Sequence, residues 1–189
     1  MLKKRVLFID NTHPLLLEGL ESMGFECDMF TTYSRSDYQN IVHNYHGLIT
    51  RSKFSIDKAF LEKACNLSFI ARVGSGMENV DTDYAKDRGI ICINAPEGNR
   101  DSVAEHAVGM LLALVNNMLK ADKQVRQGIW RRQDNCGNEI MGKTIAIIGY
   151  GNTGSAFAKR LKGFGVNVVA YDKYKAGFSD ENAREAFMD

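Results

Sequence analysis

The 189 residues, 44% of them hydrophobic, are enough to bury a core in one large or two small domains. Twenty-four basic residues against 23 acidic ones exclude a general nucleic-acid or anionic-membrane surface, so any anion site must be local. Cys27, Cys65, Cys92 and Cys136 are too scattered for paired zinc ligands or a short secreted disulfide framework. They are expected to be reduced thiols of a cytoplasmic protein with no metal site.

MLKKRVLFID opens a strand at once and leaves no room for a signal peptide. RVLFID, ECDMF, GLIT, LSFIARV and GIICIN predict five strands, with helices between them near residues 14–23, 35–45, 57–65 and 81–88. Such alternation predicts an α/β fold: a parallel sheet with helices on both faces, in a flavodoxin-like layer. Gly24 and Gly89 fall where helices should end in a left-handed cap.

Beyond Asn94-Ala95-Pro96 the pattern changes to one long helix. Ser102 and Glu105 have capping-box spacing at its start. From Ala107 to Leu119 it is apolar on nearly every side, more than one domain face covers, although HAVGMLLALVNNML is too short for a bilayer span. This predicts an interdomain or subunit contact, and hence a homodimer through the 102–126 helix region; a wholly buried core helix is the alternative. RQGIWRRQDNCGNEIMG then forms an irregular arm. The expected division is a first domain over 1–100 and a second over 101–189.

The second domain contains IAIIGYGNTG, a strand breaking into Gly149, Gly151 and Gly154 at dinucleotide-fingerprint spacing. The first glycine permits a tight turn, the second lets backbone approach a pyrophosphate, and the third allows close helix–strand packing. A helix beginning near Asn152 and Thr153 would turn its free amides and positive dipole end toward the diphosphate. Asp172 closes the next apolar run at about the 20-residue separation expected of a ribose acceptor. Its charge disfavours a 2′-phosphate and so favours NAD over NADP, a preference that Lys173 and Lys175 soften. A glycine turn of some other α/β domain, with Asp172 as a strand-end cap, is the alternative. Residues 175–189 read as a loop and the beginning of another helix, so the chain carries the first half of a Rossmann NAD-binding domain.

Taken together, LITRSK at 48–53, ARVGSGMENVD at 71–81, GIICINAPEGNRDSVAEHAVGMLLAL at 89–114 and GYGNTG resemble the D-isomer-specific 2-hydroxyacid dehydrogenase family. The phosphoglycerate-dehydrogenase branch, which belongs to serine biosynthesis, is the nearest in pattern. The resemblance implies a substrate domain, an NAD domain and a cleft between them. Glycines flanking Ser75 can form a small anion nest. By resemblance Ser75 and Gly76 hold the substrate carboxylate and Ser75 approaches the cofactor; a turn leading into a helix is the alternative. Arg51 sits at the carboxyl end of its strand, where a guanidinium can grip a carboxylate with two hydrogen bonds. Its match to the family's LxxRS pattern favours substrate contact over a solvated loop position. Arg132, beside Trp130 and Arg131, is the match for a phosphate-reading residue, with a surface charge as the alternative.

His106 faces the nicotinamide side by resemblance, in a packing or cofactor-contact role. Reducing a 2-oxo acid also needs a carbonyl-polarising arginine and a proton donor. The resemblance assigns these to an arginine and a His–Glu pair in later segments with no counterpart here. No catalytic residue is therefore expected in this chain, which should be inert alone. The activity implied is NAD-dependent oxidoreduction at the CH–OH group of a small D-2-hydroxy acid. A glyoxylate or hydroxypyruvate reductase is the alternative within the class. A non-catalytic NAD-sensing scaffold, similar to the C-terminal-binding-protein corepressors, is the alternative outside it.

Overall fold

The computed structural model describes residues 3–187 and divides into two units, Met1–Gly98 and Asn99–Asp189. In the first unit, β1 (Arg5–Phe8), β2 (Glu26–Met29), β3 (Gly47–Thr50), β4 (Phe69–Arg72) and β5 (Ile91–Ile93) alternate with α1 (Pro14–Ser22), α2 (Arg35–Ile41), α3 (Lys58–Leu61) and α4 (Thr82–Asp87). The strands pair in parallel in the order β2-β1-β3-β4-β5, the flavodoxin-like arrangement. Leu7 registers with Leu48, Leu48 with Ile70 and Ile70 with Cys92.

Both faces of this sheet are covered, because successive side chains point to opposite sides. Val6, Phe8 and Ile49 pack with Leu16, Leu17 and Leu20 of α1. Leu7, Ile9, Leu48 and Ile70 pack on the other side with Tyr38, Phe60, Leu61 and Ala85. Polar residues start the helices. Ser34 and Asp37 form a reciprocal capping box on α2, while Asp57 and Asp81 accept the amides of Phe60 and Tyr84 at 3.0 and 3.1 Å. Gly24 and Gly89 take φ of +90° and +71° after α1 and α4, the left-handed turns expected of them.

The second unit contains α5 (Arg100–Val115), α6 (Met118–Arg126), β6 (Thr144–Ile148), α7 (Asn152–Leu161), β7 (Asn167–Tyr171) and β8 (Arg184–Glu185). Its parallel order β6-β7-β8 is one half of a Rossmann sheet. Ile147, Ala158 and Ala170 form its core with Tyr150 and Ala183.

Three local expectations are corrected here. The long helix is broken: Asn117 is left-handed at φ 52°, and α5 and α6 are bent by 63°. The arm makes the break, since the Asn138 amide donates to the freed Val115 carbonyl at 2.9 Å and Asn117 Nδ2 donates to the Cys136 carbonyl at 3.2 Å. Ser102 and Glu105 form no capping box. The helix starts earlier, with Asn99 as N-cap, so Ser102 Oγ donates back to the Asn99 carbonyl and Glu105 instead meets Arg160 of α7 at 3.1 Å. After β7 there is no helix among the described residues. Asp180 Oδ1 accepts the amides of Asn182 and Ala183 at 2.7 and 3.0 Å, turning the chain directly into β8.

No single helix among the described residues is long and apolar enough to cross a membrane, although the bent α5–α6 pair passes on length and composition. Met110, Leu114 and Leu119 leave much of their surface exposed along this pair, at 61%, 76% and 79%.

Candidate functional site

In the first unit the candidate site gathers at the carboxyl ends of β3 and β4. The Arg51 peptide is held from both sides. Its N–H donates to Asp10 Oδ2 at 2.6 Å, and its carbonyl accepts Arg72 Nε at 2.9 Å and Asn79 Nδ2 at 3.3 Å. Thr50, a fully buried polar residue, donates its hydroxyl to the same Asp10 oxygen at 3.3 Å. The Arg51 guanidinium pairs with no carboxylate among the described residues, so a fixed backbone presents an available fork of donors.

The Ser75 loop differs from the expected nest. Neither Gly74 nor Gly76 takes a positive φ, and the Gly74 amide is already engaged by the Arg72 carbonyl at 2.9 Å. Two amides, those of Ser75 and Gly76, lack a protein acceptor among the described residues. Asn94 Nδ2 steadies the loop by donating to the Ser75 carbonyl at 2.7 Å. A Cβ at Gly76 would lie 2.0 Å from Glu78 Oε2, so a larger residue there would have to displace the exposed Glu78 carboxylate from its ion pair with Arg72. The Glu78 carboxyl is held below its usual range by its own backbone amide first and by the Arg72 guanidinium next.

The second unit builds the glycine loop at the end of β6. Gly149 turns off the strand at φ +95°, with its amide on the Tyr171 carbonyl at 2.7 Å. A Cβ at Gly154 would stand 2.0 Å from the Gly149 carbonyl oxygen, so only glycine lets α7 begin this close. Gly151 is the helix N-cap, with no side-chain cap and open space where a Cβ would point. The amides of Asn152, Thr153 and Gly154 have no protein acceptor among the described residues. This exposed first turn can receive a diphosphate.

Asp172 follows β7 and is more occupied than a bare ribose acceptor. Its Oδ2 accepts the Tyr150 amide at 2.7 Å, and its Oδ1 accepts the amides of Tyr174 and Lys175 at 2.8 and 3.1 Å. These amides, that of Tyr174 foremost, hold the carboxyl below its usual range. A carboxylate offers about four acceptor positions, which leaves room for a ribose hydroxyl beside the three amides. The strand-end cap and the ribose acceptor are therefore compatible roles.

Tyr150, Asp180 and Arg72 carry geometry that sequence reasoning missed, because their partners are remote or belong to another loop. The Tyr150 hydroxyl donates to Asp180 at 2.9 Å, its ring stacks on Phe178 at 4.9 Å, and its carbonyl accepts Lys175 Nζ at 3.3 Å. Burial first, and then Asp180, push the Tyr150 phenol up to about 12. A tyrosine between fingerprint glycines was the available signal.

Arg132 lies in the arm with its guanidinium off every carboxylate of the described residues, whereas Arg131 meets Asp134 at 3.6 Å. Trp130 beside them is exposed. His106 lines an apolar surface groove along α5 and α6 with Met110, Leu114 and Leu119. His13 Nδ1 caps α1 and His46 Nδ1 accepts the Arg5 amide at 3.2 Å. No histidine among the described residues pairs with a carboxylate. Arg51, Ser75 and Gly76 are thus gathered in one unit, and Gly149, Gly151, Asn152, Thr153, Gly154 and Asp172 in the other.

The chain is 38% identical over 164 residues to a D-3-phosphoglycerate dehydrogenase of Archaeoglobus fulgidus, covering 85% of this chain and 31% of that protein. It is 36% identical over 141 residues to a hydroxypyruvate reductase of Thermotoga maritima, covering 75% of this chain and 46% of that protein. It therefore spans less than half the length of either relative. Among solved structures it is similar to the NAD-dependent formate dehydrogenase of Staphylococcus aureus in complex with NAD. There the TM-score is 0.78 and the identity 26%, over 97% of this chain and 60% of that one. The model of the D-isomer specific 2-hydroxyacid dehydrogenase catalytic domain matches residues 6–189, and the chain belongs to that family.

Proposed function

We propose that this chain supplies the acid-gripping and dinucleotide-binding parts of an NAD-dependent dehydrogenase of small D-2-hydroxy acids. Phosphoglycerate is the first candidate substrate, and serine biosynthesis in the cytoplasm the setting. The observation that carries this reading is the open first turn of α7, closed against β6 by Gly149 and Gly154 and accompanied by Asp172. NAD, when bound, supplies the hydride acceptor. The amides from Gly151 to Gly154 hold its diphosphate, and Asp172 takes a ribose hydroxyl and repels a 2′-phosphate. Lys175, whose Nζ donates to the Tyr150 carbonyl at 3.3 Å, keeps its positive charge beside Asp172 and softens the resulting preference for NAD. Ser75 and His106 complete the cofactor contacts.

Arg51 and the amides of Ser75 and Gly76 bind the substrate carboxylate, and Arg132 reads the phosphate. No histidine of the described residues is paired with a carboxylate that would orient its ring and raise its pKa for proton donation. The 189-residue chain alone is therefore expected to give no turnover, and measured turnover by it would overturn that expectation. The exposed apolar stretch of α5 and α6 supports a homodimer.

In the complete protein, Arg132→Ala should raise KM for a phosphorylated substrate far more than for its unphosphorylated analogue. Equal effects would remove the phosphate role. Asp172→Ala should narrow the preference for NAD over NADP, and an unchanged ratio would remove the ribose role. The Thermotoga maritima relative supports hydroxypyruvate reduction as a second reading. Turnover with hydroxypyruvate but not phosphoglycerate would select it.

A further inference from the structure

We infer that Arg72 is a positioning residue that fixes Arg51 relative to the Ser75 and Gly76 amides and so sets affinity for the substrate acid. The inference rests on the proposed acid-binding role of those groups. Arg72 ends β4, and its side chain is only 12% exposed. Its Nε donates to the Arg51 carbonyl at 2.9 Å, while Nη1 and Nη2 donate to Glu78 at 3.2 and 2.8 Å. One guanidinium thus grips the loop after β3 with one edge and the loop after β4 with the other. Its planar fork of five donors permits this, whereas a lysine ammonium is a single point of contact.

The two loops are also joined at their far end. The Ile56 amide donates to the Asn79 carbonyl at 2.7 Å, and the Asp81 amide donates back to the Ile56 carbonyl at 3.0 Å. At the near end, the side-chain ties among the described residues are Arg72 and Asn79, both on the Arg51 carbonyl. Charge separates this role from direct binding. Glu78 offsets Arg72, whereas the Arg51 guanidinium meets no carboxylate among the described residues and so keeps its charge and donors for a ligand. Arg72 acts through Arg51: with the backbone fixed, an acid need order only the Arg51 side chain.

The test is a double-mutant cycle in the complete enzyme, reading KM for the hydroxy acid, KM for NAD and kcat. Arg72→Met should raise the acid KM about tenfold, the scale of a small misplacement of a binding group, and leave the NAD KM within about twofold. Made on an Arg51→Met background it should add less than about twofold, because relative position has no meaning once one partner is gone. Arg72→Lys should not rescue, since it reaches only one loop. Additive effects, full rescue by lysine, or an unchanged acid KM would overturn the inference. If Arg72→Met does not fold, Glu78→Ala carries the test by releasing the Arg72 guanidinium from the second loop, and an unchanged acid KM again overturns it. If Arg51→Met alone leaves the acid KM unchanged, the acid-binding reading itself has failed, and the inference with it. That outcome is distinct, because it appears before Arg72 is touched.

Discussion

Gly154→Ala and Gly151→Ala should part company, although the two glycines belong to one motif. At Gly154 the new methyl would sit 2.0 Å from the Gly149 carbonyl oxygen and 3.1 Å from its carbon, both backbone atoms. A carbon–oxygen contact is comfortable near roughly 3.3 Å, so the turn and the helix must separate by about 1 Å. That is severe overpacking, at a cost of about 3 kcal/mol. For a cooperative unit of roughly 150–250 residues that lowers Tm by roughly 6–12 °C. At Gly151 nothing lies within 4 Å of the added methyl and φ is −83°, which alanine adopts freely. Its Tm should stay within about 2 °C of the parent. The same methyl would meet an approaching pyrophosphate, and NAD affinity should fall at least about tenfold. Circular-dichroism melts and calorimetric NAD titrations of the complete protein separate these effects. A Gly154→Ala variant melting with the parent, or a Gly151→Ala variant that is destabilised yet binds NAD normally, would refute the reasoning.

Phe60→Ala, at a fully buried ring in the first unit, should cost about 3–5 kcal/mol and lower the urea midpoint accordingly. Asp57 is held below its ordinary value of 3.8, first by the hydrogen bond from Arg35 and then by the Phe60 amide. Its folded pKa is depressed, so its stabilisation is complete above the ordinary value and is lost as pH falls through the lowered one. The stability gap between parent and Asp57→Asn should accordingly be full at neutral pH and close in strong acid; a gap independent of pH would remove the charge argument. Leu114→Glu, at an exposed apolar position of α5, should dissociate the proposed homodimer in sedimentation velocity without lowering Tm of the monomer. An unchanged sedimentation coefficient would move the interface elsewhere.

The strands of the first unit were legible because each is a short apolar run between turn residues, as in GLIT or IICI. The fingerprint was legible for the same reason. Gly149, Gly154 and Asp172 act within one βαβ unit, so their spacing along the chain already fixes their spacing in space. Ser102 and Glu105 misled because capping-box spacing also occurs inside a helix, and a salt bridge to Arg160 claimed Glu105. Asn116 and Asn117 gave only a weak break signal. What bends the helix there is the arm, whose Asn138 reaches the Val115 carbonyl from 23 residues away.

The sequence by itself therefore determined the order of elements, the parallel layers and the residue types available at the strand ends, since these follow from local periodicity and turn chemistry. Tertiary structure alone decided which polar groups remain available for a ligand. Asp10, Arg72 and Asn79 all bond the Arg51 backbone, and the guanidinium pairs with no carboxylate among the described residues. Three amides take most of the acceptor capacity of Asp172 and leave room for about one further donor. Hydrogen-bond capacity is finite, and how it is shared among distant segments is settled only when those segments meet.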